Sequence, residues 1–367
     1  MVTSSHQKSD IIVIGGGIIG LSVAIALQWR GATVTVCSRN TQEAAGYVAA
    51  GMLAPQAERI PPSPLLDLAL RSRSLYQPWT RQIQDLTGLD TGYWPCGILA
   101  PVYQYPHQTQ LPQTPESPAI WLEADQLITQ QPGLTSEVVG GWWFPQDGQV
   151  DNRRLLMRSL IHASQQLGIQ IRDGVEVQEI ATTTNKIKQI NTNQGAIVAS
   201  HYILAAGAWS GQILPIPVYP IKGQMLSLRV PSDISQLPLK QVLFGSGIYI
   251  VPRRDGLIVL GATAENVGFH KSLTPKGINT LLSEATRLYP GLAEFPIEEF
   301  WSGFRPTTPD ELPILGRSPF ENLTLATGHH RNGILLAPIT AELIADLVCY
   351  DKSDPLLEYF CWDRFSS

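Results

Sequence analysis

The chain has 367 residues, enough for two domains or one large one, and its apolar fraction of 44% predicts a globular protein with a large core. The formal net charge of −5 and the lack of any Lys/Arg cluster argue against binding to nucleic acid. None of the four cysteines has a CxxC spacing, so we interpret them as free thiols in a reducing compartment.

The beginning of the chain gives no sign of export. The first ten residues are polar, and the apolar run that follows is interrupted by glycines. This stretch has neither the basic start nor the cleavage site of a signal peptide, and it is too short for a convincing membrane span. We therefore expect a cytoplasmic protein without stable membrane insertion.

The strongest local signal is the stretch from Asp10 to Leu27. A short apolar strand is followed by a G-x-G-x-x-G pattern on Gly15, Gly17 and Gly20, and then by a small, apolar helix. In such a pattern the first glycine permits a tight turn, the second lets a pyrophosphate approach the backbone, and the third lets helix and strand pack closely. The helix N-terminus then faces the phosphates. The pattern predicts a dinucleotide site but does not distinguish NAD from FAD.

The second predicted strand, at 33–37, leads to the position where an acidic residue usually binds the ribose. Ser38 takes that place, and a serine bonds a ribose hydroxyl more weakly than a carboxylate does. Arg39 comes next, and an arginine at this position can bind the 2′-phosphate of NADP. The small, apolar loop from Ala44 to Pro55 suits either close approach to a flat ring or a tightly packed helix start.

Hydrophobic periodicity predicts the remaining elements along the chain. The predicted helices cover 61–89, 123–130, 151–167, 274–289 and 334–348. The predicted strands cover 142–145, 169–171, 175–180, 186–191, 196–198, 202–206, 224–230, 248–252, 257–260, 297–304 and 323–326.

Motifs spread over nearly the whole chain carry a specific resemblance. They are IIVIGGGIIGLSVAIAL at 11–27, AAGML at 49–53, VEVQEI at 175–180, LAAGAWSG at 204–211, PIKGQMLSL at 220–228, YIVPR at 249–253, GLIVLGAT at 256–263, WSGFRPTTPDELPILG at 301–316 and ATGHHRNGILLAP at 326–338. Together they resemble the FAD-dependent D-amino-acid oxidase family, and within it the bacterial glycine oxidases of thiamine biosynthesis.

The resemblance implies an α/β fold in two parts. A discontinuous, Rossmann-like FAD-binding domain takes residues 1–80, 150–215 and 323–367. A substrate domain with a mixed, largely antiparallel sheet takes residues 81–149 and 216–322.

The resemblance also implies FAD as the cofactor and assigns residues to it. A helix that begins near 333 would direct its N-terminus, with its partial positive charge, at the flavin ring and stabilise the reduced anion. The implied cofactor-binding residues are Gly15, Gly17, Ile18, Ile19, Gly20, Ser38, Arg39, Ala50, Gly51, Met52, Val177, Gly207, His329, His330, Arg331, Asn332, Gly333, Ile334 and Leu335.

Four positions match substrate-binding residues of the family. Arg305 matches the arginine that grips the substrate carboxylate, and its guanidinium suits a bidentate contact. Tyr249 matches a tyrosine whose hydroxyl helps to hold that carboxylate, while Arg331 and Met52 match other residues of the pocket. Without the motifs, a structural salt bridge and a core tyrosine would be the simpler interpretations of Arg305 and Tyr249.

The chain also departs from the family pattern. Gly247 and Ala264 stand where the glycine oxidases have a histidine and a methionine, which removes bulk near the pocket and leaves the substrate open. Threonines rather than a cysteine follow Arg305-Pro306, so we expect non-covalent FAD. His329 and His330 have no carboxylate or cysteine at ligand spacing, so we predict no metal.

The implied activity is FAD-dependent oxidative deamination of glycine, sarcosine or a small D-amino acid, with O₂ as the electron acceptor. The products are an imino or 2-oxo acid, ammonia and hydrogen peroxide, and the imine dehydroglycine would serve thiamine thiazole synthesis. No catalytic side-chain acid or base is required. The alternatives are a broader D-amino-acid oxidase, an amino-acid dehydrogenase linked to a quinone or carrier, and a non-catalytic flavoprotein subunit. We expect a homo-oligomer.

Overall fold

A computed structural model describes residues 10–106 and 118–365. Its strands are β1 (Ile11–Ile14), β2 (Val34–Ser38), β3 (Met52–Leu53), β4 (Tyr93–Trp94), β5 (Ile98–Val102), β6 (Ile120–Glu123), β7 (Gly140–Phe144), β8 (Gly148–Val150), β9 (Gln170–Asp173), β10 (Val177–Thr182), β11 (Ile187–Thr192), β12 (Gly195–Ile197), β13 (His201–Leu204), β14 (Tyr219–Arg229), β15 (Val242–Gly245), β16 (Ile248–Pro252), β17 (Leu257–Gly261), β18 (Ile297–Thr307), β19 (Ile314–Arg317) and β20 (Leu323–Thr327). Its helices are α1 (Ile18–Trp29), α2 (Pro64–Thr87), α3 (Ala124–Gln130), α4 (Met157–Gln166), α5 (Ser210–Ile213), α6 (Pro275–Leu288) and α7 (Gly333–Tyr350).

A six-stranded sheet, in the order β19-β20-β13-β1-β2-β9, forms the first part of the fold. Strand β1 pairs in parallel with both β2 and β13. Side chains alternate across a strand, so Ile11 and Val13 face a core made with the helices, while Ile12 and Ile14 face the β10–β12 meander. Both faces are covered, which explains why β1 is a continuous apolar run.

Helices α1, α2, α4 and α7 pack together on one face of this sheet. Helix α7 is long and apolar enough to cross a membrane, but 67% of its apolar window is buried inside the protein. The hydroxyls of Ser72 and Tyr76, on α2, donate hydrogen bonds to the carbonyls of Leu335 and Ile334 in its first turn, both at 2.6 Å. Through these contacts α7 packs as a helix of the protein core.

An eight-stranded sheet, in the order β18-β14-β17-β16-β15-β5-β7-β6, forms the second part. All its pairings are antiparallel except that of β15 with β5, which confirms the predicted mixed, largely antiparallel sheet. Helix α6 packs on one face through Leu281, Ala285 and Leu288. Other residues of the sheet, Val251 and Val259, pack in a separate cluster with Ala50 and Ala54 of the 44–55 loop.

Several boundaries differ from the predictions. Strand β18 runs to Thr307 rather than stopping at 304, because it remains paired with β14 through Pro220 and Pro306. Pro306 has no backbone N–H to donate. Because β18 is an edge strand, no second neighbouring strand needs a hydrogen bond from that position. The helix predicted at 151–167 opens with a π-helical turn, Asn152–Leu156, capped by the Asp151 carboxylate.

The division into two domains remains a prediction. Strand β19 lies inside the 216–322 segment assigned to the substrate domain, yet it pairs with β20 in the six-stranded sheet. This pairing favours a boundary before Ile314. Residues 1–9, 107–117 and 366–367 of the assigned segments lie outside the described residues.

Candidate active site

One cavity of about 1550 Å³ is lined by residues of both large sheets. Its walls include Gly15 at the end of β1 and Ala205 after β13, together with Tyr249 on β16 and Arg305 on β18. Pockets for drug-sized ligands have volumes of about 300–1,000 Å³. This cavity therefore has room for a dinucleotide and a small second molecule.

The glycine-rich turn between β1 and α1 forms one end of the cavity. Gly15 has φ +119°, and a Cβ there would lie 2.3 Å from the Ala205 carbonyl oxygen. A Cβ on Gly20 would lie 1.9 Å from the Gly15 oxygen, so these two glycines are required by the packing of the chain itself. A Cβ on Gly17 would contact only the Cβ of Ala44, at 3.5 Å. Gly17 thus keeps open the space before α1, where backbone N–H groups can bind phosphate.

We expect Gly17→Ala to fold normally but to bind its dinucleotide about tenfold more weakly, because the added methyl group occupies the space of a phosphate. The check is a titration of the apoprotein with FAD, with a melting curve of the apoprotein as the control. Unchanged affinity would show that the pyrophosphate does not approach Gly17.

The loop after β2 forms the neighbouring wall, with Ser38 buried at its start. Arg39 donates to a Glu43 carboxylate oxygen at 2.7 Å, and its guanidinium carbon lies 4.5 Å from the centroid of the Trp209 ring. The guanidinium is therefore already paired and stacked, which weakens the interpretation of Arg39 as a 2′-phosphate ligand. Glu176 lines the cavity together with Ser38, so this wall does contain a carboxylate although Ser38 itself has none.

Arg305 lies at the other end of the cavity, where β18 pairs with β14. Its Nη1 donates to the Thr263 carbonyl oxygen at 3.0 Å. The guanidinium covers Gly223, where a Cβ would lie 2.7 Å from Nη1. No carboxylate of the described residues forms a salt bridge with it, so a structural ion pair does not explain this arginine. The remaining N–H groups of the guanidinium suit the carboxylate of a ligand.

Tyr249 lines the cavity near Arg305, close enough for the guanidinium to influence the phenol. Its ring packs over Gly261, its partner across β16 and β17, where a Cβ would lie 2.4 Å from the ring. Burial raises the pKa of Tyr249, and the nearby Arg305 only partly opposes that effect. The phenol is therefore neutral at physiological pH and can donate a hydrogen bond to an anion.

The turn before α7 closes the cavity between these two ends. His329 is buried with its Nε2 3.1 Å from the Thr340 hydroxyl, and burial lowers its pKa to about 3. The Nδ1 of His330 lies 2.8 Å from the Thr307 hydroxyl, and burial lowers its pKa to about 4 although Glu311 opposes the effect. Both imidazoles are neutral at physiological pH. In the described parts of the chain, no group of three or more His, Cys, Asp or Glu is arranged to hold a metal.

Most of the residues assigned from the sequence line this one cavity. They are Gly15, Gly17, Ile18, Ile19, Ser38, Arg39, Ala50, Gly51, Met52, Val177, Gly207, Tyr249, Arg305, His329, His330, Arg331, Gly333 and Ile334.

Gly20, Asn332 and Leu335 are not among the residues that line the cavity, and their assignment to the cofactor remains a prediction. Gly20 serves the contact between α1 and β1, as its closeness to the Gly15 oxygen shows. The side chain of Leu335 belongs to the core between the helices, and Asn332 is buried in the turn before α7.

The loop that carries Ala50 and Met52 is held by buried polar side chains. Arg253 donates to the Ala50 oxygen at 2.7 Å, to the Val150 oxygen at 3.2 Å and to the side chain of Gln149. Burial lowers the pKa of Arg253 to about 10, so it remains a cation at neutral pH. Asn152 donates to two further carbonyl oxygens of the loop. These hydrogen bonds hold the small, apolar loop from Ala44 to Pro55 in place.

Sequence reasoning missed Glu58, which lines the cavity after this loop. Burial raises its pKa to about 7, while Arg331 and Arg305 oppose the rise. It lies in a turn without hydrophobic periodicity, so its position could not be read from the pattern around it. The only available signal was an acidic residue three positions after the end of the small, apolar loop at Pro55.

Comparison with known proteins agrees with this geometry. The family model described as FAD dependent oxidoreductase matches residues 10–347. The chain is 56% identical to the "Bifunctional protein ThiO/ThiG" of Nostoc sp. over 97% of its own length and 55% of that protein's length. It is 33% identical to the glycine oxidase of Geobacillus kaustophilus, over 93% of each chain.

Solved structures agree with these sequence similarities. The crystal structure of glycine oxidase from Bacillus cereus superposes with a TM-score of 0.88 at 30% identity, covering 96% of this chain and 98% of that one. The chain spans about half the length of the bifunctional relatives it matches. With a family match over residues 10–347, the chain belongs to the FAD-dependent oxidoreductase family.

Proposed function

We propose that the chain oxidises the amine carbon of a small amino acid, with glycine as the first candidate. The observation that carries the proposal is the Arg305 guanidinium, which lies beside a neutral Tyr249 phenol and lacks a carboxylate partner among the described residues. These two groups offer a binding site for one carboxylate, in a cavity that also contains a dinucleotide cradle. Relatives that are named glycine oxidases support this choice.

The residues of the cavity fit FAD. Gly17 leaves room for the pyrophosphate, and Ser38 with Glu176 offers oxygen atoms for the ribose. The buried His330 Nε2 has no hydrogen-bond partner in the described chain, so a polar ligand atom would satisfy it. Cys37 is the one cysteine among the described lining residues, and it belongs to the buried strand β2, so we propose a non-covalent cofactor.

When bound, FAD would supply the hydride acceptor for oxidation of the substrate carbon, with O₂ as the final electron acceptor and hydrogen peroxide as its product. The protein supplies orientation: Arg305 and Tyr249 fix the carboxylate, which directs the neighbouring Cα–H. The N-terminus of α7 contributes partial positive charge to the cavity wall at Gly333 and Ile334. His329 and His330 are neutral at physiological pH, so they add no positive charge to the cavity wall.

A second candidate, a broader D-amino-acid oxidase, is favoured by two small residues. Gly247 and Ala264 both line the cavity and are exposed. A Cβ on Gly247 would contact nothing within 4 Å, so space is available there for a larger substrate side chain. The size of the preferred amino acid separates the two candidates.

The decisive test uses the purified yellow holoprotein without air. We expect glycine and sarcosine to bleach the flavin absorbance, and air to restore it with release of peroxide. Bulky D-amino acids acting faster than glycine would support the broader oxidase. Bleaching with slow recovery in air would indicate a dehydrogenase, and no bleaching by any amino acid would contradict an amino-acid oxidoreductase altogether.

We further propose that the imine product serves thiamine thiazole synthesis, which the names of the bifunctional relatives support. We also propose a homo-oligomer in the cytoplasm. The four cysteines, all free in the structure, are consistent with a reducing compartment.

A further inference from the structure

Glu58 is a carboxylate in the same cavity as the two arginines, Arg305 and Arg331. Three other glutamates line the cavity: Glu43 pairs with Arg39 and Lys271, Glu176 lies 3.7 Å from Arg39, and Glu311 lies 3.8 Å from His330.

Glu58 differs from these three glutamates. Within the described ranges, its side chain forms no hydrogen bond and no salt bridge. An unpaired, half-buried carboxylate is costly unless a ligand compensates it.

The backbone around Glu58 is held rigidly. The backbone N–H groups of Gln56 and Ala57 donate to one carboxylate oxygen of the fully buried Asp147, at 3.2 and 2.9 Å. Arg73 donates to the other oxygen of Asp147 at 2.6 Å. The N–H of Glu58 donates to the Ala54 oxygen at 3.0 Å. A buried ion pair thus fixes the two residues before Glu58 and directs the chain along the cavity wall.

The charges around Glu58 complement an amino acid. Arg305 and Arg331 lie near enough to the Glu58 carboxylate to oppose the rise in its pKa, and the same three side chains influence the phenol of Tyr249. A zwitterion whose carboxylate lies on Arg305 and Tyr249 would direct its ammonium group away from those cations. Among the described glutamates that line the cavity, Glu58 is the one that lies near these groups without a salt bridge of its own.

We propose that Glu58 receives the amino group of the substrate and takes up the proton that the ammonium must lose before oxidation. The inference rests on the proposed function. One N–H bond of the ammonium breaks and the proton forms an O–H bond on the Glu58 carboxylate, which leaves a neutral amine. Oxidation of this amine would then break the Cα–H bond, with FAD, when bound, as the acceptor of the hydride, and the nitrogen lone pair would form the C=N bond of the iminium product.

The pH dependence follows from the groups that face Glu58. They are Arg331 before α7, Arg305 on β18, Tyr249 on β16 and Asp147 after β7, with Arg73 behind Asp147. With a pKa of about 7, Glu58 is protonated at low pH and cannot accept a proton. The rate of flavin reduction should therefore rise as the pH increases through about 7.

The experiment compares wild-type holoprotein, Glu58→Gln and Glu58→Asp. Acetate, which has a carboxylate but no amine, is titrated against the flavin spectrum, and glycine is used to reduce the flavin without air. For Glu58→Gln we expect acetate affinity within about twofold of wild type, glycine affinity at least about tenfold weaker, and loss of the rate increase near pH 7. Glu58→Asp should retain that increase, with a slower rate.

Two results would overturn the inference. Glu58→Gln could reduce with an unchanged pH profile, or it could lose acetate and glycine affinity equally, which would show that Glu58 only balances the charge of the arginines. Wild-type protein that is not reduced by any amino acid would instead overturn the proposed function itself.

Discussion

Replacing Arg305 with alanine should raise the KM for the amino-acid substrate by roughly 150–5,000-fold, equivalent to about 3–5 kcal/mol. The reason is that the substrate carboxylate would enter a cavity in which only the Tyr249 phenol remains to bind it. Steady-state peroxide release against glycine concentration measures the effect. Because Arg305 makes one hydrogen bond to the protein, to Thr263, the variant should keep its fold and its flavin.

Arg305→Lys and Arg317→Ala serve as the controls. Lysine keeps the charge but not the planar fork, so its KM should lie between those of wild type and the alanine variant. Arg317 is exposed and forms an ion pair with the exposed Asp351 instead of facing the substrate, so its loss should leave the KM unchanged. An Arg305→Ala enzyme with the KM of wild type would refute the assignment of this residue to the substrate carboxylate.

Replacing Arg253 with methionine should destabilise the protein by about 3–5 kcal/mol and release much of its flavin. The substitution keeps much of the side-chain volume but leaves the oxygens of Ala50, Val150 and Gln149 buried without this donor. It also leaves Asp151, whose carboxylate lies 3.9 Å from Arg253, without one of its cations. We expect the melting temperature to fall by roughly 5–10 °C and the flavin-to-protein absorbance ratio to drop.

The neighbouring Arg254 provides a matched control. Its side chain is exposed, and its guanidinium lies over the Trp94 ring at 5.4 Å. Arg254→Met should therefore change the melting temperature by little, since exposed cation–π contacts contribute about 0.5–1 kcal/mol. Equal effects of the two substitutions would contradict a special role for the buried arginine.

The amino-acid sequence was most informative where local pattern and chemistry coincide. The apolar strand, the glycine spacing and the following helix predicted the cradle at Gly15 and Gly17, because the geometry of that turn is set by residues within ten positions of each other. The motif around Arg305 identified a candidate carboxylate ligand. The structure then argues against the competing interpretation of Arg305 as part of a structural salt bridge, because no carboxylate of the described residues pairs with it.

The position of Glu58 could not be predicted in this way. It depends on Asp147, which binds the backbone of Gln56 and Ala57 across 90 positions of sequence. The extent of β18 was missed for a similar reason. An Arg-Pro pair normally indicates the end of a strand, and only the free edge of the sheet permits Pro306 to continue it.

The wall of the cavity joins residues 14–19 to residues 326–334, with contributions from several segments between them. During translation, the glycine-rich turn is therefore synthesised long before the turn with His329 and His330 that closes the site. Contacts so distant in sequence form late in folding, because the loop between them must close first. The cofactor can be enclosed only when α7 has been synthesised and has packed against α1, so cofactor retention reports completion of the whole fold.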